Sequence, residues 1–317
     1  MKLNKFQKSL LCTTLIAGVA AFSSCTTSPK KEDSNLSKKE QEKIDEYRAE
    51  VEIGRNMAGR LLQYYGVVDD TSLIQYVNRV GNYVASYGDF PDRKYMFQII
   101  DSDEVNAFAC PGGYILVTSG TIRLAKNEAE LAAILGHETA HVGLKHMFNT
   151  LKSMNEREME KAANAIAESG KGDKNLEVRK RPDAEKSELG SLVARYLAGS
   201  TGGLGVVKAA SAGMNVMLAK GLDKKLEFEA DREGVKYAIN AGYAPFALPA
   251  FLSRLDKGKK KIDSSGLDKT HPSPKNRIVG IAGLLKTMKA EAIAGAYGTS
   301  RYLQQKVKLP PVKRAKR

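Results

Sequence analysis

Three of the four histidines in this 317-residue chain lie in one short stretch, LAAILGHETAHVGLKH, residues 131–146. His137 and His141 are four positions apart, so on an α-helix they lie one turn apart and about 40° round the axis. Two imidazoles on one helical face can bind the same metal ion. Because most of the surrounding residues are apolar, the stretch predicts a buried helix that carries a pair of metal ligands.

Glu138 completes the pattern HExxH, in which the glutamate has a catalytic rather than a ligand role. It follows the first ligand and can take a proton from a water molecule whose pKa a zinc ion lowers to about 7. We therefore expect Glu138 to be a general base. With only four histidines in the chain, chance is a poor explanation of this spacing.

His146 is nine positions beyond His137, which is about 180° round a continuing helix. It would then point away from the ligand face. We expect a surface residue, or one in a layer behind the ligands, unless the helix breaks at Gly143.

The third metal ligand is expected in the acidic cluster EFEAD, residues 227–231. Glu227 and Asp231 face the same way on a helix. Glu227 would complete two histidines and one carboxylate with an open fourth position, and Asp231 could accept the free N–H of a ligand imidazole. Glu229 would face solvent or a surface lysine. By itself such a cluster is more often a solvated helix face, and the need for a third ligand favours the metal interpretation.

The N-terminus indicates export. Three lysines precede an apolar run, residues 10–22, which is too short to cross a bilayer at about 20 residues per helix. FSSC, ending at Cys25, resembles the lipobox of bacterial lipoproteins, which predicts a signal peptide over residues 1–24 and lipidation of Cys25. Ordinary secretion with cleavage elsewhere is the alternative.

Composition along the chain predicts the domain organisation. A flexible tether, residues 25–43, has almost no apolar residues. Residues 44–290 form one domain, with two helices before residue 86 and short strands over residues 94–120. Residues 150–190 are a charged insertion or loop, and the small apolar stretch 191–221 favours close helix packing over contact with a membrane surface. The C-terminal segment, residues 291–317, ends in a basic tail.

The charge balance suits an anionic lipid surface or an acidic partner, because the net charge is +14. Nucleic acid is not expected as a partner, since an exported chain rarely meets it and no basic–aromatic motif is present. After loss of the signal peptide and lipidation of Cys25, Cys110 is the only cysteine left, so no intramolecular disulfide can form.

Three motifs in chain order, NAFACPGGYILVTSG, LAAILGHETAHVGLKH and EFEADREG, together resemble peptidase family M48, zinc metallopeptidases that include the CAAX prenyl proteases. The resemblance runs from about Glu50 to Leu285, and the lipoprotein signal makes it most similar to the periplasmic branch. It implies an α+β fold that is mostly α-helical, a zincin-like metallopeptidase with a small β-sheet beside the HExxH helix.

The resemblance also implies site residues. One zinc ion per chain would be bound by His137, His141 and Glu227, with Glu138 as base and Asp231 behind the ligands. An extended substrate would pair with a strand by backbone hydrogen bonds. The residues implied for that substrate strand are Asn106, Ala107, Phe108, Ala109, Gly112, Gly113 and Tyr114.

His271 lies in THPSPKNRI, which matches a further segment of the family. It could donate to the developing oxyanion, or bind the metal and close the site, or be an ordinary turn residue. Arg277 is a weaker candidate for holding that loop or the oxyanion.

The sequence thus predicts a lipid-anchored periplasmic zinc metalloendopeptidase that hydrolyses unfolded or misassembled envelope proteins, a quality-control function that follows only from the resemblance. The outer membrane is favoured for the anchor, and the oligomeric state is left open. The rival hypothesis is a chaperone-like lipoprotein that binds clients and has a structural or plugged zinc site.

Overall fold

The structure, a computed structural model, describes residues 37–168, 204–258 and 270–311. These residues are mostly helical, with one small sheet, which confirms the predicted α+β class. The strands are β1 (Met96–Ile100), β2 (Ala107–Cys110) and β3 (Tyr114–Thr118). The helices are α1 (Lys38–Tyr65), α2 (Thr71–Ala85), α3 (Ser119–Leu124), α4 (Glu128–Gly143), α5 (His146–Ser153), α6 (Glu156–Glu168), α7 (Leu204–Asn215), α8 (Lys224–Asn240), α9 (Ala247–Gly258), α10 (Pro274–Thr287) and α11 (Thr299–Lys306).

Helix α1 begins earlier than the sequence analysis expected. The Ser37 side chain accepts a hydrogen bond from the Glu40 N–H, and the Glu40 carboxylate accepts one from the Ser37 N–H, forming a capping box. This cap starts the helix at Lys38. The expected flexible tether over residues 25–43 is therefore wrong for its last six residues, and the part before residue 37 lies outside the described residues.

The sheet has the strand order β1-β3-β2, with β1 parallel and β2 antiparallel to the central strand β3. A tight turn, Pro111–Gly113, joins β2 to β3. Gly112 and Gly113 both have positive φ, and a Cβ on either would meet the backbone of Val51 or Lys94 within 2.5 Å. The sheet thereby packs directly against α1.

Helix α4 lies at the centre, and every one of its residues is buried. One apolar core surrounds it with residues of α2, β1, α8, α9 and α10. A second core joins α1, α5 and α7 on the other side of the sheet. The described part of the stretch 191–221, α7 and the π-helical turn Val216–Lys220, packs in this second core, as expected for close helix packing.

The predicted charged insertion, residues 150–190, is helical in its described part. Helix α5 extends to Ser153, and α6 runs from Glu156 because Met159 and Ala162 pack on the second core. The expectation of a loop is wrong for these residues, and residues 169–190 lie outside the described chain. No described helix is both long and apolar enough to cross a membrane.

The start of α4 is held by a buried carboxylate. Glu128 is 2% exposed and accepts hydrogen bonds from the hydroxyls of Tyr76 (2.7 Å) and Tyr243 (2.8 Å) and from the guanidinium of Arg301. Arg301 belongs to α11, in the predicted C-terminal segment. That segment is therefore bound, through Arg301, to the N-terminus of the HExxH helix.

Replacement of Glu128 by Gln should lower the free energy of unfolding by about 1–3 kcal/mol at neutral pH, because hydrogen bonds to a charged group are lost. Burial raises the pKa of Glu128, but the bonds from Arg301 and the two tyrosines outweigh it and lower the pKa below 4.5. The carboxylate thus stabilises the fold above its ordinary pKa, and that contribution is lost as the pH falls through the lowered value. Urea unfolding of wild type and of Glu128→Gln should show a difference in the free energy of unfolding that becomes smaller at acidic pH. An equal deficit at neutral and acidic pH would contradict this role.

Candidate metal centre

The predicted ligands come together where α4 packs against α8. The Nε2 atoms of His137 and His141 lie 3.1 Å apart, and Glu227 oxygens lie 3.7 Å and 3.5 Å from them, respectively. Donors bound to one tetrahedral zinc ion at about 2.0–2.1 Å are about 3.3 Å apart. All three side chains are at most 4% exposed. The geometry therefore suits a metal ion.

His271, just before α10, reaches the same point. Its Nδ1 lies 2.5 Å from Glu227 Oε2, and donor atoms of His137, Glu227 and His271 all lie within 4.8 Å of one another. This set of three donors has His271 where the predicted set has His141, and His141 adjoins it through Nε2, which lies 3.1 Å from His137 Nε2. A simple turn role for His271 does not account for this contact.

The outer nitrogen of His137 is fixed by a carboxylate. His137 Nδ1 lies 3.0 Å from Asp231 Oδ1, the contact that the spacing of the acidic cluster predicts. Arg277 braces Asp231, donating from Nε (2.9 Å to Oδ2) and from Nη2 (2.6 Å to Oδ1). Arg277 Nη2 also lies 3.3 Å from His137 Nδ1, and Arg277 lines the cavity beside Glu138 and His271, so its oxyanion or loop role stays a prediction. His137 is thereby oriented with Nε2 toward the centre.

The outer nitrogen of His141 lies against His146. A continuous helix would have directed His146 away from the ligand face. Helix α4 ends at Gly143, and Lys145 has a left-handed backbone (φ 58°), so the helix breaks and the chain turns back. His146 is buried, and its Nδ1 lies 3.0 Å from His141 Nδ1. Glu229 faces solvent in part, as expected, since its side chain is 40% exposed, and its Oε2 also lies 3.4 Å from His146 Nε2.

The electrostatics of the metal-free site follow from burial and close charges. Burial, with Arg277 nearby, lowers the pKa of His137 to about 3. Burial also lowers the pKa of His141, but the Glu227 carboxylate outweighs it and raises that pKa. Burial raises the pKa of Glu227, but the contacts with His271 and His141 bring it well below its ordinary value. Because histidine binds a metal in its neutral form, metal binding would displace any proton on His141 Nε2.

Glu138 lies one residue beyond His137 and is 4% exposed. Burial raises the pKa of its carboxyl group. A glutamate with a raised pKa is better matched to proton transfer near neutral pH. The predicted base is therefore a buried carboxyl group at the rim of the ligand cluster.

The predicted substrate strand divides into two parts. Asn106, Ala107, Phe108 and Ala109 line the cavities beside Glu138 and His271. Gly112, Gly113 and Tyr114 have another role, because the two glycines form the turn against α1 and Tyr114 begins the central strand, whose two edges are both paired. Within the described chain, no strand pairs with the outer edge of β2.

Comparison with known proteins settles the family. The profile described as "Peptidase family M48" matches residues 72–284, which is more than half of the chain. The chain belongs to peptidase family M48. This finding confirms the family, and with it the class of zincin-like metallopeptidase, that the sequence motifs predict.

Similar proteins include beta-barrel assembly-enhancing proteases and a mitochondrial metalloendopeptidase. The beta-barrel assembly-enhancing protease of Escherichia coli (strain K12) is 26% identical over 230 residues, which cover 72% of this chain and 42% of that protein. Its counterpart in Yersinia pestis is 27% identical over 234 residues, covering 73% and 42%. The mitochondrial metalloendopeptidase OMA1 of Schizosaccharomyces pombe is 26% identical over 204 residues, covering 64% and 50%. The chain spans half or less of the length of these relatives.

Two contacts of the site were not predicted from the sequence, that of Arg277 with Asp231 and that of His146 with His141. The bond between Arg277 and Asp231 joins α10 to α8, and no local pattern links two residues so far apart in sequence. The contact of His146 with His141 depends on the helix break, for which Gly143 was the only local signal.

The contact of His146 with His141 predicts an effect on metal affinity. Nitrogens 3.0 Å apart must pair one donor with one acceptor, so a His141 that presents Nε2 to a metal donates from Nδ1 to His146. His146→Leu removes the acceptor and should weaken metal binding by about 10- to 100-fold. His146→Gln retains an acceptor oxygen and should recover much of the affinity. Competition with a chromophoric chelator measures both, and equal affinities for Leu, Gln and wild type would exclude the role.

Proposed function

We propose that this protein is a lipid-anchored periplasmic zinc endopeptidase that cleaves unfolded or misassembled envelope proteins. The observation that carries the proposal is the buried convergence of His137, His141 and Glu227 beside Glu138, at an open strand edge. Family membership supports peptide hydrolysis, and the relatives named for β-barrel assembly support an envelope substrate.

The donor set and its charge fit a divalent zinc ion. The buried site has three carboxylates, Glu138, Glu227 and Asp231, and one guanidinium, that of Arg277. An isolated buried excess of negative charge is costly, and a divalent cation would balance it. His137, His141 and Glu227 would hold the ion. When bound, zinc supplies a Lewis acid for the peptide carbonyl and lowers the pKa of water near it.

The side chains of the site would carry out proton transfer and hold the histidine ligands in place. Glu138 takes the proton from the attacking water and passes it to the leaving amine, for which its raised pKa suits it. Asp231, braced by Arg277, and His146 hold the two imidazoles with their Nε2 atoms inward. The placement of the base and the two histidine ligands on one buried helix keeps these groups oriented for reaction.

Substrate binding at β2 explains a preference for unfolded chains. The Asn106 carbonyl accepts the Thr118 N–H, and backbone groups of an antiparallel strand alternate in direction, so those of Ala107 and Ala109 point to the outer edge. The Asn106 Oδ1 already accepts the Ala107 N–H at 3.0 Å and marks the end of the edge. Only an extended segment can add a strand there, and it does so largely through backbone bonds.

The location rests on the N-terminal residues, which lie outside the described part of the chain. The apolar run that precedes Cys25 and the basic composition support an anchored protein close to an anionic lipid surface. We propose Cys25 as the lipidated residue and the outer membrane as its location.

Loss of the base should abolish cleavage without loss of metal. For Glu138→Gln we expect one zinc ion per chain, as in wild type, and about 10²- to 10⁴-fold slower cleavage of an unfolded protein such as casein. The matched control is Glu156→Gln, an exposed glutamate of α6. Zinc content and casein cleavage are measured on the same preparations. Undiminished cleavage by Glu138→Gln would exclude the mechanism, and the absence of zinc from wild type would exclude the metal site.

The position of His271 favours one second candidate, a client-binding protein whose zinc site is plugged. Its contact with Glu227 places a fourth protein donor where a hydrolytic zinc needs an open position. If His271 closes the site, His271→Ala should accelerate casein cleavage; if it donates to the oxyanion, the variant should be slower. Zinc bound with no cleavage by either wild type or His271→Ala would favour the client-binding function.

A further inference from the structure

Two apolar cavities flank Glu138 along the outer edge of β2. Their empty spaces, including the open mouths, are about 370 Å³ and 340 Å³. Ala107, Glu138 and His271 line both cavities and so form the wall between them. A peptide bond held next to Glu138 would therefore have one cavity on each side.

The first cavity, here called the α9 cavity, is lined by one face of α9. Leu248, Phe251 and Leu252 form this wall, and Val105 and Ile134 face it; all five are at most 6% exposed. The only cation on its lining, Arg277, is bonded to Asp231. The cavity thus offers an apolar wall and no free cation for an acidic side chain, and the one carboxylate on its lining is Glu138, the proposed base.

The second cavity, here called the methionine cavity, lies on the other side of His271. Its walls are Met147 of α5, Val216 and Met217 of the π-helical turn, and Leu222. The first three are at most 7% exposed. Methionine side chains are unbranched and polarisable, so this cavity can adapt to apolar side chains of different shapes.

The direction of β2 assigns each cavity to one side of the scissile bond. Asn106, at the start of the strand, lines the α9 cavity, whereas Phe108 and Ala109 line the methionine cavity. A strand added antiparallel, the commoner pairing and the one β2 already makes with β3, runs the opposite way. Its N-terminal part would lie by the methionine cavity and its C-terminal part by the α9 cavity.

We infer that the enzyme selects peptides with a large apolar side chain directly before and directly after the scissile bond. The residue before the bond occupies the methionine cavity, and the residue after it occupies the α9 cavity. This inference rests on the proposed peptidase function and names the substrate class. Because large apolar side chains are mostly buried in folded proteins, two adjacent ones in an extended segment are a mark of an unfolded chain.

A panel of labelled peptides with one central Leu-Leu pair tests the preference on the zinc-loaded full chain. Replacing either Leu by Ala should lower kcat/KM at least about 10-fold, and replacing either by Asp should lower it further, because a charge would be buried without a partner. Equal kcat/KM for the Leu, Ala and Asp peptides would overturn the inference.

Two variants test the assignment of the sides. Leu252→Ala enlarges the α9 cavity and should shift the preference after the bond from Leu toward Phe, with the preference before it unchanged. Met217→Ala enlarges the methionine cavity and should shift the preference before the bond from Leu toward Phe, with the preference after it unchanged. Thermal melting and zinc content identify a variant that fails to fold, in which case the wild-type panel still decides the preference. A shift on the opposite side of the bond would overturn the assigned direction.

Peptide binding separates this inference from the peptidase function. Fluorescence anisotropy of the same peptides is measured with zinc-loaded wild type and with Glu138→Gln. Tighter binding of the Leu-Leu peptide without cleavage by wild type would support the cavities and contradict the peptidase. Cleavage of all peptides with equal binding and equal rates would support the peptidase and overturn the inference.

Discussion

The metal centre depends on the close contact of α4 with α8, which two glycines make possible. A Cβ on Gly136 would lie 2.7 Å from the Gly234 carbonyl oxygen, and a Cβ on Gly234 would lie 2.5 Å from the His137 backbone nitrogen. The helices therefore touch backbone to backbone, one residue before the first ligand. Any larger residue at either position would separate His137 and His141 from Glu227. Close packing of interiors leaves little room for such a shift to be absorbed.

Around this contact, each ligand histidine has its own support. His137 is held by a carboxylate that a buried arginine braces, and His141 is held by a neutral imidazole, since burial and the neighbouring His141 lower the pKa of His146 to about 4. The first support comes from α8 and α10, the second from α5. Residues from α5, α8 and α10 thus support the two histidines, which lie on one turn of α4. Arg301 of α11 binds Glu128 and so fixes the start of α4.

The sequence predicts the parts of the site that depend on local spacing. The four-residue intervals of His137 and His141, and of Glu227 and Asp231, require only helical periodicity. Asn127, a residue type favoured at helix N-termini, caps α4. The contact between α4 and α8 was predicted only from the need of a zinc ion for a third ligand, because no local spacing indicates it. For His146 the sequence left open a position behind the ligands and a helix break at Gly143. The left-handed Lys145 makes that break, and a lysine gives no signal of such a turn. The early start of α1 was missed although Ser37 and Glu40 have the spacing of a capping box.

A zinc ion held by this buried cluster would have imidazole nitrogens and a carboxylate oxygen as its neighbours. X-ray absorption spectroscopy at the zinc edge, on protein loaded with one equivalent, detects those neighbours directly. We expect four-coordinate zinc with nitrogen and oxygen neighbours at about 2.0–2.2 Å, including the outer-shell scattering of at least two imidazoles. A shell of oxygen neighbours without imidazole, or a sulfur neighbour at about 2.3 Å, would contradict it.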